Sequence, residues 1–345
     1  MPAPNRTAVR YQADVQRLRA ALLLAAAVFG LYLSVPSEGL GAVVDAASEA
    51  NPSSLAVAAA LLCGVIAARI VRFQVLLADA RPSWSDQLTA SGVGFFALQL
   101  LPFRLGEFVR PHLLAEAGVP WGRSLGAIAL ERLLDLVALL VLVVLSGSVE
   151  LPGVLHVGGF DVLQTAQRAV GAAVAFGIVV MGAALAAGAP FLVRLQRVPA
   201  IGPPIASLLG HALAGLAATR APLAAGAAAL TAWVWGSNTA IVAVLLHGFP
   251  DLPTGFAPAV LTTTATTAGI LAVPTPGMVG SFEAFATRAL ALWPGDRGSA
   301  AAFALSWHGL TLALHALLGA SLLAARGLSL GDVVRASRAA PETPS

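Results

Sequence analysis

The sequence predicts an all-α polytopic membrane protein with about six full spans and two broken-helix hairpins that re-enter the membrane from opposite faces. Of its 345 residues, 58% are hydrophobic and only 11% are charged. A soluble domain usually carries about 25% charged residues. The chain therefore has too few polar residues for a water-exposed surface, which excludes a cytosolic enzyme, a disordered chain and a coiled coil. The apolar runs are continuous and do not alternate with polar residues, which argues against a transmembrane β-barrel.

Six apolar stretches are candidates for full membrane spans. A helix that crosses the hydrocarbon core needs about 20 residues. Five of the stretches reach that length, and the first is somewhat short. The stretches are 20–35, 55–77, 124–147, 168–193, 222–246 and 299–325.

The positions of the arginines predict how these spans are oriented. Cytoplasmic loops of membrane proteins are enriched in basic residues, and every basic residue of this chain is an arginine. The tail 1–19 holds four arginines and the tail 326–345 holds three, so both are predicted to be cytoplasmic. Loops 36–54, 148–165 and 247–256 carry acidic residues but no arginine, so they are predicted to lie outside.

Three arginines need separate comment in this scheme. Arg297 is the exception, because it falls on the outside. Arg69 and Arg72 lie in the last third of the second span, and we expect their side chains to extend to the cytoplasmic interface. Because most of the basic groups flank apolar spans, membrane orientation explains most of them better than nucleic-acid binding does.

Two further apolar stretches, 88–117 and 257–293, cannot be simple crossings. The arginines place the chain on the cytoplasmic side both before and after the first stretch. They place it outside both before and after the second. Each stretch is therefore predicted to be a re-entrant hairpin, whose irregular backbone must be buried in protein or line a cavity.

The two hairpins share a short sequence pattern. Each contains Pro-x-x-x-Gly followed shortly by a glutamate, and the same interval separates the two prolines and the two glycines. The order span, span, hairpin, span occurs twice with opposite orientation. This order predicts an inverted repeat composed of residues 20–147 and 148–325. The helix breaks are predicted at Pro102, Gly106, Pro276, Gly277 and Gly280.

Charged residues inside the apolar stretches are the candidate functional residues, since each costs about 2.5–3.5 kcal/mol at a helix centre. Two interpretations stay open. The arginines bind an anionic headgroup in a cavity open to the cytoplasm while the carboxylates balance their charge or exchange protons, or the charges form a network that only joins helices. The arginines are Arg104, Arg110 and Arg132, and the carboxylates are Glu107, Glu131 and Asp135.

The second hairpin adds one more candidate, Glu283. Arg288 lies five residues away, which is too far round a helix for a good local pair, so we expect Glu283 to find its partner elsewhere. His308 and His315 lie seven residues apart on one face of the last span, where an interhelical hydrogen bond is the commoner outcome and a proton relay the alternative. We predict no metal site and no cofactor, because the single cysteine, Cys63, excludes a multi-thiolate site and neither histidine has a nearby paired acid in the sequence.

Three segments of the chain resemble a known family. They are residues 100–110 (LLPFRLGEFVR), then Ser124 with residues 131–135 (ERLLD), and residues 274–284 (PTPGMVGSFEA). In order and spacing they are similar to the signatures of the lysylphosphatidylglycerol synthase transmembrane-region family, also described as a flippase-like domain family. The resemblance covers most of residues 15–325.

The resemblance implies a multi-pass protein of the bacterial inner membrane, related to the lipid-translocating half of the synthetase/flippase. It does not imply synthetase activity, and the sequence contains no enzyme motif. A departure at residues 97–99 (ALQ), where relatives often have asparagines, puts one polar contact in doubt.

The leading hypothesis is a transporter, not an enzyme, that moves an anionic or amphiphilic lipid between leaflets. The lipid would be a phospholipid, a polyprenyl-linked lipid or a hopanoid-type lipid, and enzymes of envelope biosynthesis are possible partners. Two alternatives remain: a membrane-embedded enzyme or accessory subunit of envelope lipid or glycolipid synthesis, and a scaffold. The scaffold predicts a fully paired charge cluster with no lipid-sized cavity beside it.

Overall fold

A computed structural model describes most of the two helical halves of the chain. Residues 1–20 and most of residues 148–220 lie outside the described part, and so does nearly all of the predicted span 168–193. The described residues are 21–22, 24–36, 39–77, 80–101, 106–147, 156–157, 160–161, 172, 193–194, 196–197, 210 and 221–338.

The described part of the first half consists of six helices. They are α1 (Leu24–Ser34), α2 (Leu40–Ser48), α3 (Pro52–Leu76), α4 (Trp84–Leu100), α5 (Val109–Glu116) and α6 (Trp121–Gly147). A small antiparallel pair follows, in which β1 (His156–Val157) pairs with β2 (Phe160–Asp161).

The described part of the second half is also helical. Its helices are α7 (Ala221–Gly248), α8 (Phe256–Ala272), α9 (Ser281–Leu290), α10 (Arg297–Arg326) and α11 (Leu330–Arg338), with a short 3-10 turn at Pro276–Met278.

Local sequence explains where the long helices begin and end. The Asn51 side chain accepts a hydrogen bond from the amide of Ser53, and Pro52 occupies the first turn of α3, where its missing N–H is not needed. Asp296 caps α10 in the same way, and Gly327 ends that helix in the left-handed conformation. Side-chain acceptors at a helix start and glycine after its end are the usual boundary signals.

The protein is a membrane-embedded, multi-pass helical protein. Among the described residues, three helices are long and apolar enough to cross a membrane: α3, α7 and α10. Helix α6 has comparable length, but it carries Glu131, Arg132 and Asp135 near its middle. Large apolar side chains such as Trp233 and Leu317 are exposed on the helix surfaces, as expected of surfaces that face lipid.

Both stretches predicted to be interrupted are helix–break–helix segments. Helix α4 ends at Leu100 and α5 begins at Val109, while α8 ends at Ala272 and α9 begins at Ser281. Of the predicted break residues, Pro102 lies outside the described residues, as does Arg104 beside it.

Two glycines allow the breaks to approach neighbouring backbone closely. A Cβ atom on Gly106 would clash with the backbone of Ala97 in α4. Gly280 has a φ of 83° and lies against the backbone of Ala27 in α1. At Gly280 this φ would strain any residue with a side chain. At both positions the neighbouring backbone leaves no room for a side chain.

The ends of the two broken segments lie at opposite ends of α10. At the C-terminal end of α10, Arg326 pairs with Asp86 at the start of α4 and lines a cavity with Ala117, which follows α5. At the N-terminal end, the Asp296 amide donates a hydrogen bond to the carbonyl of Asp251, so the chain before α8 meets the chain after α9. Each broken segment thus begins and ends near the same end of α10.

Candidate functional site

Glu131 is the centre of a buried ionic network that joins three helices. Arg72 of α3 donates from Nη2 to Glu131 Oε1 at 2.8 Å, and Arg110 of α5 donates from Nη1 to Glu131 Oε2 at 2.8 Å. The Glu131 side chain of α6 is fully buried. One carboxylate therefore neutralises charge from two different helices, including the shorter arm of the first broken segment.

The position of Arg72 corrects the expectation that its side chain extends to the interface. The residue is fully buried, and its Nη1 donates to Asp135 Oδ1 at 2.7 Å and to Thr231 Oγ1 at 2.9 Å. The reason is that α6 and α7 cover this face of α3. Ala68 and Leu76, one turn before and after Arg72, share that face and are also buried.

Arg110 makes apolar as well as ionic contacts. Its guanidinium carbon lies 4.3 Å from the ring centroid of Phe73 and 5.1 Å from that of Phe95. Only 4% of the residue is exposed. Cation–π contacts of this kind add to the hold on a desolvated arginine, so in this conformation Arg110 fastens α5 to α6.

A cavity of about 340 Å³ lies beside this network. Its walls come from the ends of α4 and α8, the middle of α6 and α7, and the break after α8. Leucine, isoleucine and valine side chains form much of the wall. The polar side chains in the wall are Arg69, Arg132, Asp135, Trp235, Asn238, Thr267 and Thr275.

Arg69 lines this cavity, and its donors are not used. Its guanidinium carbon lies 4.3 Å from the Phe95 ring centroid. With the described residues the side chain makes no hydrogen bond and no ion pair. The side chain of Arg69 was expected to extend to the interface, but it lies in the cavity wall. The reason is that its guanidinium packs against the Phe95 ring of α4.

Arg132 lines the same cavity and is loosely held. Its Nη2 lies 3.8 Å from Glu107 Oε1 and its Nη1 lies 3.7 Å from Asp135 Oδ2, both beyond hydrogen-bond distance. Its Nε is buried without a hydrogen-bond partner in the described structure. Asp135, by contrast, is bonded to Arg72 and to the indole Nε1 of Trp235 at 3.1 Å.

Glu283 lies apart from the Glu131 network, at the start of α9. Its Oε2 accepts a hydrogen bond from the Gly280 amide at 2.7 Å, and its Oε1 lies 2.6 Å from Nδ1 of His308 on α10. The expected partner elsewhere in the chain is thus a histidine. His315 has a different environment: its Nδ1 contacts the Thr311 carbonyl, and its ring meets Phe95 edge-on.

Of the predicted site residues, Glu107, Arg110, Glu131, Arg132 and Asp135 come together around one carboxylate cluster, whereas Glu283 lies apart and Arg104 is outside the described residues. Sequence analysis missed Arg69 and Arg72 as members of this group. Within the described ranges, no group of three His, Cys, Asp or Glu residues is arranged to hold a metal ion.

Comparison with known proteins identifies the family of the chain. Neither the curated proteins nor the solved structures gave a match. The family model described as Lysylphosphatidylglycerol synthase TM region matches residues 19–319, which include every described helix except α11 and the last turns of α10. This match covers most of the chain, and the protein belongs to the lysylphosphatidylglycerol synthase transmembrane-region family.

Proposed function

We propose that this protein is an inner-membrane lipid transporter that moves a lipid with an anionic headgroup between the two leaflets. The observation that carries the proposal is the cavity whose wall holds two arginines without a hydrogen bond to the described residues. Arg69 contacts only the Phe95 ring, and Arg132 makes two long ion pairs, at 3.7 and 3.8 Å. Families with this transmembrane region are linked to flippase-like activity on membrane lipids, and the family match supports the same function.

The charges around the cavity favour an anion. The charged residues at and beside the cavity, within the described ranges, are four arginines and three carboxylates: Arg69, Arg72, Arg110 and Arg132, with Glu107, Glu131 and Asp135. Arg72 and Arg110 are bound to Glu131 and Asp135 and are not available to a ligand. The remaining guanidinium groups face the cavity, where planar forks of N–H donors suit phosphate oxygens. A fully paired scaffold would offer no such donors.

The rest of the cavity suits the apolar part of a lipid. Volumes of roughly 300–1,000 Å³ with apolar walls and a few polar groups are typical of small-molecule sites, and this cavity of about 340 Å³ is within that range. Leucine and isoleucine side chains from the ends of α4 and α8 line the same cavity. A phosphate bound by the arginines would leave its glycerol or prenyl chain against these side chains.

The arrangement of the broken segments supports transport. Leu98 and Leu101 come from the first segment, and Pro274 and Met278 from the second, so both contribute to the cavity wall. The two segments start from opposite ends of α10. In inverted-repeat transporters, broken helices meet at the substrate site near the midplane. We infer the same repeat here, with residues 20–147 and 148–325 as its halves and both termini in the cytoplasm.

Lipid translocation by the purified protein in vesicles tests the proposal. Fluorescent anionic phospholipid is placed in both leaflets, and dithionite quenching reports its movement. The alanine variants of Arg69 and Arg132 should each lower the rate about tenfold or more, since loss of one charged contact costs about 1.4 kcal/mol or more. Arg335→Ala, on the exposed face of α11, is the matched control and should keep the wild-type rate.

Thermal unfolding of each variant separates a lost contact from a lost fold. Arg69→Lys keeps the positive charge and should therefore recover part of the rate. The recovery should be incomplete, because an ammonium group lacks the planar set of N–H donors of a guanidinium. Wild-type rates in both alanine variants, with unchanged melting temperatures, would overturn the proposed headgroup site.

A further inference from the structure

The contact between Glu283 and His308 lies outside the proposed headgroup site and has an unusual arrangement of hydrogen-bond acceptors. Both nitrogens of the His308 ring face acceptors: Nδ1 lies 2.6 Å from Glu283 Oε1, and Nε2 lies 3.0 Å from the carbonyl oxygen of Gly277. The second carboxylate oxygen, Oε2, accepts from the Gly280 amide. Both side chains are buried, with 2% and 3% exposed.

Counting protons shows that the pair holds one more proton than a neutral imidazole and a carboxylate together. A carbonyl oxygen can only accept, so Nε2 carries a hydrogen. With Nε2 protonated, a neutral ring would turn the lone pair of Nδ1 toward a carboxylate oxygen at 2.6 Å, which is repulsive. The contact therefore needs a second proton, either on Nδ1 or on Oε1. In both forms the pair is neutral overall.

Burial favours this protonated form. Without the extra proton the pair would carry one negative charge among apolar rings: Phe282 stacks on His308 with centroids 4.4 Å apart, and Trp307 lies against Phe282 at 4.6 Å. An uncompensated charge in such surroundings is costly. Release of the proton therefore requires water to enter or the contact to open.

We propose that Glu283 and His308 form a proton-binding site that couples lipid movement to proton movement. The coupling rests on the proposed transport function, whereas the proton site rests on the contacts alone. The two ring contacts described here are those of the protonated form. Loss of the proton removes one of the two ring contacts and frees either the Glu283 carboxylate or the Gly277 carbonyl.

The break after α8 connects this site to the lipid cavity. Gly277 lies in the 3-10 turn Pro276–Met278, and Met278 and Thr275 line the cavity wall. Thr275 also donates to the carbonyl of Val279 at 2.8 Å and contacts the Ser281 hydroxyl. The turn that His308 fastens is thus part of the wall that a lipid would touch, so release of the turn changes the cavity.

The elements packed against the pair offer few other titratable or charged groups within the described ranges. Helix α8 contains none, and α9 contributes only Arg288, which is exposed at its far end. On α10 the groups are His315, which contacts Thr311 and Phe95, and Arg297 and Arg326 at the two ends. Helix α1 contributes Tyr32, which is 73% exposed. None of these competes with His308 for the Glu283 carboxylate.

A transport experiment tests the coupling. Vesicles with the wild-type protein receive a gradient of one pH unit, and the leaflet distribution of the anionic phospholipid is measured at steady state. One proton per lipid shifts that distribution by up to about tenfold, whatever the orientation of the inserted protein. Glu283→Gln, which keeps a neutral hydrogen-bonding side chain, should abolish the shift. His315→Asn is the matched control and should retain it.

Nitrogen-15 NMR of the six histidines in bilayers tests the proton site independently of transport. The signals lost in His308→Asn belong to His308. In the wild type their chemical shifts should change with pH, because the ring gains or loses a proton, and in Glu283→Gln this change should be lost or displaced.

The outcomes separate the two claims. Translocation without any gradient dependence overturns the coupling and leaves the proposed function intact. No translocation in the wild type overturns the transport function and the coupling together. An identical His308 titration in the wild type and in Glu283→Gln overturns the shared proton site itself.

Discussion

At the scale of single residues, the stability of the ionic network depends on Glu131. Its two carboxylate oxygens bind Arg72 and Arg110, both buried. Glu131→Gln would remove the negative charge that lies between these two desolvated guanidinium groups. Because removing one member of a buried ion pair costs about 3–5 kcal/mol, we expect a clear fall in the melting temperature, measured by intrinsic fluorescence in detergent.

The pair between Asp86 and Arg326 is the matched control for this prediction. It has similar length, 2.9 Å, but both side chains are more than a third exposed. Exposed pairs contribute about 0–1 kcal/mol, so Asp86→Asn should change the melting temperature little. Equal effects of the two substitutions would contradict the assignment of Glu131 as the centre of the network.

Single residues also show how far the sequence could predict the site. The cost of charges inside a span identified Arg110, Glu131, Arg132 and Asp135, which do meet. The same reasoning assigned Arg69 and Arg72 to the interface, because distance along a span was used without considering which helix face is covered. Coverage depends on how α6 and α7 pack against α3. That packing is a tertiary property which the sequence of α3 does not contain.

At the scale of elements, α11 is an amphipathic helix whose first turn depends on Asp332. The carboxylate accepts hydrogen bonds from the hydroxyl and amide of Ser329, and it pairs with Arg335. These contacts lower the pKa of Asp332 from 3.8 to about 2. Val333 and Ala336 on the other face are buried in the apolar cluster with Val93.

The lowered pKa sets the pH dependence of this helix start. A depressed carboxyl pKa stabilises the folded state above the ordinary value, and the contribution is lost as the pH falls through the folded value. The first turn of α11 should therefore loosen between about pH 4 and pH 2, as seen by amide exchange of residues 329–336. Asp332→Asn should loosen it already at neutral pH. Unchanged exchange in that variant would contradict the role of Asp332.

The broken segments were the elements that the sequence predicted best. Proline and glycine are strong signals for helix breaks, and α8 ends shortly before Pro276 while α9 begins at Ser281. The path of the chain through each break was not predictable, because it depends on close contacts between distant backbones. Gly280 against Ala27 and Gly106 against Ala97 are the two examples.

At the scale of the whole molecule, the arrangement of the broken segments around α10 predicts how the chain crosses the membrane. Helix α10 has 30 residues and is therefore about 45 Å long, enough to cross a hydrocarbon core of about 30 Å. The first segment starts and ends near its C-terminus, and the second starts and ends near its N-terminus. The two ends of each segment should therefore face the same side of the membrane.

Single cysteines in a Cys63→Ala background test this topology. The exposed positions Trp84 and Ala117 flank the first segment, and Thr254 and Pro294 flank the second. A membrane-impermeant maleimide added to intact spheroplasts should label the second two and not the first two, because the arginine distribution predicts that the first pair is cytoplasmic. Labelling of the first pair should appear only after permeabilisation. If the two ends of either segment are labelled from different sides, that segment crosses the membrane once, and the inverted repeat with its shared cavity is wrong.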